Sequence, residues 1–221
     1  MSKEGEFDRF IRAEITRREL LRRFGLGGAA LAVPGLLAAC GGIFRMARNE
    51  EPLSFDPLVP SDNGSIWVLY NMFDQLTTVN DDSSGISPSL AESWEISPDG
   101  RIYTFSLRQG VSFSNGDPMT ADDVVFSIQR AVDPKKSAYS FLFGPVDRVR
   151  KLDDKTVEIS LKQPFAPLLE NLNVFPASIV PKKIVEADPS GFAQNPIGTG
   201  PFALKEFKKG QQTHLVRNEQ Y

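Results

Sequence analysis

The sequence predicts a mixed α/β fold, and three observations carry that prediction. Apolar residues recur at helical spacing in two stretches and alternate with period two in two hairpin-like stretches. The composition, 41% hydrophobic and 10% aromatic, is that of a globular chain able to form one large core or two smaller ones.

The N-terminal region reads as an export signal over residues 1–39. Arg17 and Arg18, flanked by Thr16 and by Leu20 and Leu21, resemble a twin-arginine motif. The apolar run from Phe24 to Ala39 contains Gly25, Gly27, Gly28, Pro34 and Gly35 and is shorter than the ~20 residues that span a bilayer. It closes on Leu37-Ala38-Ala39-Cys40, which resembles the bacterial lipobox, so Cys40 is the expected lipidation site and the first residue of the working protein. A short membrane anchor and an interfacial amphipathic helix are the alternatives, and the glycines argue against the second.

Cys40 is the chain's one thiol, which excludes disulfides, thiol catalysis and cysteine metal clusters downstream of it. The leader holds seven basic and five acidic residues. Against a total of −3, the remainder therefore carries −5. Without a basic stripe, no nucleic-acid partner is expected.

Along the remaining chain, Ile43 to Arg48 reads as a strand, only two residues after Cys40, which would set the fold close to the bilayer. Pro57 forces Asp56 out of the helical region, and the polar loop Pro60-Ser61-Asp62-Asn63-Gly64 follows. Ile66, Leu69, Tyr70 and Phe73 predict a helix over 65–75. Trp94 and Ile96, the turn Pro98-Asp99-Gly100, and Tyr103, Phe105 and Leu107 predict a hairpin. Thr120 followed by Asp123 is a capping-box pattern, opening a helix with Val124, Val125, Ile128, Ala131 and Val132 on its apolar face and Asp133-Pro134 at its end. A second hairpin is expected over 146–162 around Asp153-Asp154-Lys155. Short helices near 168–172 and 182–187 come next, then strands through Leu204 and Phe207 and over 213–217.

The order of these motifs resembles the family-5 extracellular solute-binding proteins, the peptide-type receptors of ATP-driven importers. The residues that carry the resemblance begin with Glu51 to Pro57, Leu90-Ala91-Glu92-Ser93-Trp94 and Tyr103 to Arg108. They continue with Phe113 to Val124 and Gly198-Thr199-Gly200-Pro201-Phe202. The resemblance implies a two-lobed α/β receptor of periplasmic-binding-protein type, with the distal lobe missing from this chain. Residues 40–75 would begin the first lobe, 76–174 would form a small α/β domain packed on it, and 175–221 would return into the first lobe. It also implies a peptide or similar small solute as ligand, and a permease with its ATPase as partners. The protein would be monomeric, exported, and periplasmic or held by lipid on Cys40 at the outer face of the cell membrane. No catalysis and no cofactor are implied. By the family pattern, Ser61, Asp62, Asn63 and Tyr139 face the ligand; as plain residues they read equally well as solvated loop positions. The rival reading is a degenerate receptor serving as sensor or scaffold.

Other constellations read as structural. Asp122 and Asp123 lie in the first turn of a helix, where carboxylates favour the helix dipole, so they do not read as a catalytic pair. The loop Asn80 to Gly85 has Ala91 where a calcium loop needs its twelfth-position acid. His214 lacks a metal partner at useful spacing. Gly198-Thr199-Gly200 precedes Pro201 and a strand, which makes it a backbone crossing and not a phosphate loop. With one histidine and no Gly-x-Ser-x-Gly elbow, a hydrolase lacks its parts. Trp94 is expected to pack in the core.

Overall fold

The computed structural model describes residues 50–60, 62–80 and 82–221. The arginine pair, Cys40, the expected strand over 43–48 and Ser61 lie outside the described residues. The elements are α1 (Asn63–Met72), β1 (Thr77–Val79), β2 (Ile86–Pro88), β3 (Ala91–Ile96), β4 (Ile102–Leu107) and α2 (Ala121–Val132). After a 3-10 turn at Ser140–Phe143 come β5 (Val146–Asp153), β6 (Thr156–Leu161) and α3 (Leu168–Asn171). A second 3-10 turn at Phe175–Ala177 leads to α4 (Lys182–Ala187), α5 (Pro189–Gln194), β7 (Phe202–Lys208) and β8 (Gln212–Arg217). Among the described residues no helix is long and apolar enough to cross a membrane.

The two expected hairpins join into one antiparallel sheet of order β3-β4-β6-β5. Register places Trp94 opposite Phe105 and Phe105 opposite Val157, so the apolar members of each alternation share a face. Tyr103, Phe105, Leu107, Val157, Ile159 and Leu161 are buried there, and Trp94 packs half-buried beside Phe105. Helix α2 covers this face with Val124, Ile128 and Ala131, all fully buried. Its capping box forms as the sequence predicts: the Asp123 backbone N–H reaches Thr120 Oγ1 at 3.3 Å, and the Thr120 N–H reaches Asp123 Oδ2 at 2.8 Å. The other oxygen of Asp123 accepts from the Lys182 N–H at 2.9 Å, and Ser127 Oγ accepts from the Val180 N–H at 2.9 Å. Through these bonds α2 holds the chain that opens α4.

A second core gathers Phe55, Leu69, Met72, Phe73, Phe175, Val180, Val185 and Phe192, with Leu204, Phe207 and Leu215 packed against it. Edge-to-face ring contacts run from Phe55 to Phe207 (5.2 Å) and from Phe73 to Phe192 (6.1 Å). The chain passes between the cores at Asp74-Gln75 and again at Ser178-Ile179. These crossings are bonded to each other, Ile179 N–H to the Asp74 carbonyl at 3.1 Å and Gln75 Nε2 to Ser178 Oγ at 2.9 Å.

The glycine run is a crossing of two backbones, as its sequence suggests. Gly200 donates its N–H to the Met72 carbonyl at 2.9 Å, and the Thr199 hydroxyl accepts from the Asp74 N–H at 3.3 Å. A β-carbon on Gly198 would stand 2.0 Å from the Met72 oxygen, and one on Gly200 2.6 Å from the Met72 carbonyl carbon.

Helix α1 departs from the expected 65–75 at both ends. Asp62 caps it, so it opens at Asn63, and Phe73 turns to extended backbone (φ −125°, ψ 142°). The crossing at Gly198 to Gly200 occupies the line the helix would follow, and Phe73 drops into the second core. The buried face is Gly64, Ser65, Leu69 and Met72, leaving Tyr70 partly exposed. The β1–β2 pair, α5 and the 3-10 turn at Ser140–Phe143 lack a sequence counterpart.

Gly198→Ala is expected to lower stability by roughly 1–3 kcal/mol through overpacking against main chain. At Gly144 the nearest atom to an added β-carbon lies at 3.6 Å, and Gly144→Ala should stay within about 0.5 kcal/mol. Urea unfolding of the two variants checks the contrast.

Candidate functional site

Asp62, Asn63 and Tyr139, predicted to face ligand, lie beside the loop residues 56–60, which follow Phe55 of the second core and precede α1. Asp56 opens the loop. Its Oδ1 accepts from the Leu58 N–H at 3.1 Å, and its main-chain carbonyl accepts from the Val59 N–H at 3.1 Å. Its Oδ2 receives Arg130 from α2 at 2.7 Å, and the two side chains are only 8% and 12% exposed. The guanidinium also lies over the Phe126 ring, 5.6 Å from its centroid and one helical turn back. In such a dry pair, removing one partner strands a buried charge at a cost of about 3–5 kcal/mol.

The far end of the loop is held by Tyr139, whose hydroxyl donates to the Pro60 carbonyl at 2.6 Å. The Tyr139 ring stands edge-on to Phe175 at 4.9 Å, and Phe175 in turn meets Tyr70 at 6.3 Å. Phe141 lies 6.4 Å from Tyr139 and is 71% exposed. Burial pushes the Tyr70 phenol up, and a hydrogen bond from the Phe175 main chain acts in the opposite direction.

Asp62 is the N-cap of α1: Oδ1 accepts from the Ser65 N–H at 2.7 Å and Oδ2 from the Ser65 hydroxyl at 2.8 Å. Ser65 Oγ accepts in turn from the Leu53 and Ser54 N–H groups at 2.8 and 3.3 Å, tying the helix to the strand of chain before the loop. Asn63 is exposed and shares a helix face with Trp67 and Tyr70, at spacings of four and three residues.

The structure thus brings Tyr139 to the loop that carries Asp62 and Asn63, across 76 positions of sequence between Asn63 and Tyr139. It commits the Asp62 carboxylate and the Tyr139 hydroxyl to internal bonds, and leaves Asn63 open to solvent. Sequence reasoning missed Ser65 and Arg130. Ser65 stands three residues after Asp62, the spacing of an N-cap acceptor and its donor. Arg130 stands four after Phe126, the spacing of a cation over a ring on one helix face.

The other constellations are structural. Asp123 is buried in the capping box, and Asp122 is exposed and paired with Lys151 at 2.9 Å. His214 is exposed on β8 opposite Glu206. Asp82 is held below the usual carboxylate range by the Ser84 hydroxyl and main chain, as a turn acceptor. Among the described residues no group of three or more His, Cys, Asp or Glu is placed to hold a metal ion, and every buried side-chain polar atom has a hydrogen-bond partner.

Comparison with known proteins decides the family. The model for the bacterial extracellular solute-binding proteins, family 5 (middle region), matches residues 85–221. The chain belongs to this family. A di/tripeptide-binding protein of Pseudomonas aeruginosa (strain UCBPP-PA14), named number 2, is 32% identical over 91% of the chain and 41% of its own length. The solute-binding protein MoaA of A. tumefaciens R10, solved with mannopinic acid, superposes with a TM-score of 0.75 at 33% identity, over 78% of this chain and 36% of that one. The Helicobacter pylori protein DppA, solved with the peptide STSA, gives 0.70 at 32% identity, over 77% and 38%. The chain therefore spans less than half the length of the relatives it matches, and this family-5 chain shares the mixed α/β fold of that portion.

Asp62→Ala is expected to lower stability by about 1 kcal/mol through loss of the cap. Asn63→Ala, at an exposed helix start, should stay within about 0.5 kcal/mol. Denaturant midpoints compared at a common slope check the pair.

Proposed function

We propose that this chain supplies the first lobe and the small domain of a solute-binding receptor for an ATP-driven importer. The receptor takes a peptide or a similar small solute and delivers it to a membrane permease, with no chemistry on the ligand. One observation carries this reading. A loop with open positions is held on a two-core scaffold, in a chain whose relatives are named for di- and tripeptide binding or were solved with a peptide or mannopinic acid.

In this reading residues 40–75 and 175–221 form the lobe and 76–174 the packed domain, a division that the two cores and their paired crossings among the described residues support. The ligand is enclosed against a second lobe, and it meets the loop at Ser61, Asp62, Asn63 and Tyr139. Main-chain groups would hold a peptide largely regardless of its side chains. The receptor acts as a monomer, exported through the signal carrying Arg17 and Arg18 and held by lipid on Cys40, with no cofactor.

Titration of the chain with the dipeptide Ala-Ala, followed by amide chemical shifts, tests the ligand site. Shifts confined to residues 57–63 and 139–141 are expected, and their absence at millimolar peptide would refute the site. For the anchor, Cys40→Ala should move the protein from the membrane fraction to the soluble one, and unchanged membrane retention would count against lipidation.

A further inference from the structure

Among the described residues of the loop, 56–60 make few main-chain bonds to one another. Pro57 and Pro60 carry no N–H, and the Leu58 and Val59 amides both turn back onto Asp56. The internal order of the loop therefore hangs on the placement of Asp56. Pro57, Leu58 and Pro60 are buried, Leu58 in the first core, but apolar contacts fix position more than direction.

Direction comes from two polar bonds, both made by the stretch that begins in α2 and ends in the following 3-10 turn. Arg130 grips the Asp56 carboxylate at one end, and Tyr139 grips the Pro60 carbonyl at the other. Each gripping side chain is itself oriented, the guanidinium over Phe126 and the phenol ring against Phe175. We propose that Arg130 and Tyr139 are positioning residues, a two-point clamp that sets the loop from which Asn63 and its neighbours meet ligand. The inference rests on the functional reading above only for its last step. With its hydroxyl engaged on Pro60, Tyr139 acts through the loop in addition to any contact its ring makes with the ligand.

Hydrogen exchange at single amides tests the clamp without any ligand. Tyr139→Phe keeps the ring on Phe175 and removes one bond, and should speed exchange at Leu58 and Val59 by about three- to tenfold while Phe105 and Ile159 in the sheet stay unchanged. Arg130→Met should do more at the same two amides, and Arg130→Lys should restore part of the protection. Unchanged exchange at Leu58 and Val59 in Tyr139→Phe would overturn the clamp. So would equal acceleration of the sheet amides, which marks a general loss of stability. If Arg130→Met does not fold, Tyr139→Phe and Arg130→Lys decide alone.

In the Ala-Ala titration, Tyr139→Phe should weaken the response at Asn63 severalfold without moving it elsewhere. A wild-type chain blind to the dipeptide would refute the functional reading, and the exchange data would still decide whether the clamp exists.

Discussion

The close approach of Gly198 and Gly200 to the Met72 carbonyl is the constraint on which the arrangement depends. Main chain meets main chain there, with no side chain between, so neither segment can move without the other. It ends α1, turns Phe73 into the second core, and sets the origin of β7, whose Phe207 closes on Phe55. Phe55 is the residue before the loop, so the same contact reaches the candidate site from both sides. A glycine is required because any β-carbon would collide with backbone, which cannot rotate away as a side chain can.

The site itself obeys a different economy. Its loop lies outside regular secondary structure, and side chains supply the bonds that a ladder or helix would otherwise provide. Asp62 and Ser65 satisfy the open end of α1, while Asp56 orders the turn behind it. Burial makes the Asp56 bond to Arg130 strong and also makes it hard to lose, since each charge depends on the other for solvation. Because Arg130 belongs to the helix covering the sheet and Leu58 packs in the same core, the first core holds the loop that follows Phe55 of the second.

The local chemistry was legible in the sequence where it is local in fact. Thr120 and Asp123 are three residues apart and satisfy each other's backbone, so the capping box needs nothing from elsewhere in the chain. Tyr103, Phe105 and Leu107 alternate because the strand alternates, and they are buried as the period requires. The glycine run was readable as a crossing because Pro201 forbids the helix a phosphate site would need. The apolar period starts α1 two residues late because it does not register Asp62, whose spacing to Ser65 makes it a cap. Phe73 continues that period, and only a contact from more than a hundred residues away ends the helix before it.

By itself, then, the sequence determined the hairpins of the main sheet with their buried faces and the capping box of α2, which depend on neighbours within a few positions, and, through the order of its motifs, the family resemblance. Only the tertiary structure decided that Arg130 reaches Asp56 and that Tyr139 reaches Pro60, pairs 74 and 79 positions apart. No periodicity records such a pairing, because it arises when two cores fix the relative placement of their elements. The same physics engaged the Tyr139 hydroxyl: a polar atom brought close to a packed scaffold is stabilised by finding a partner there.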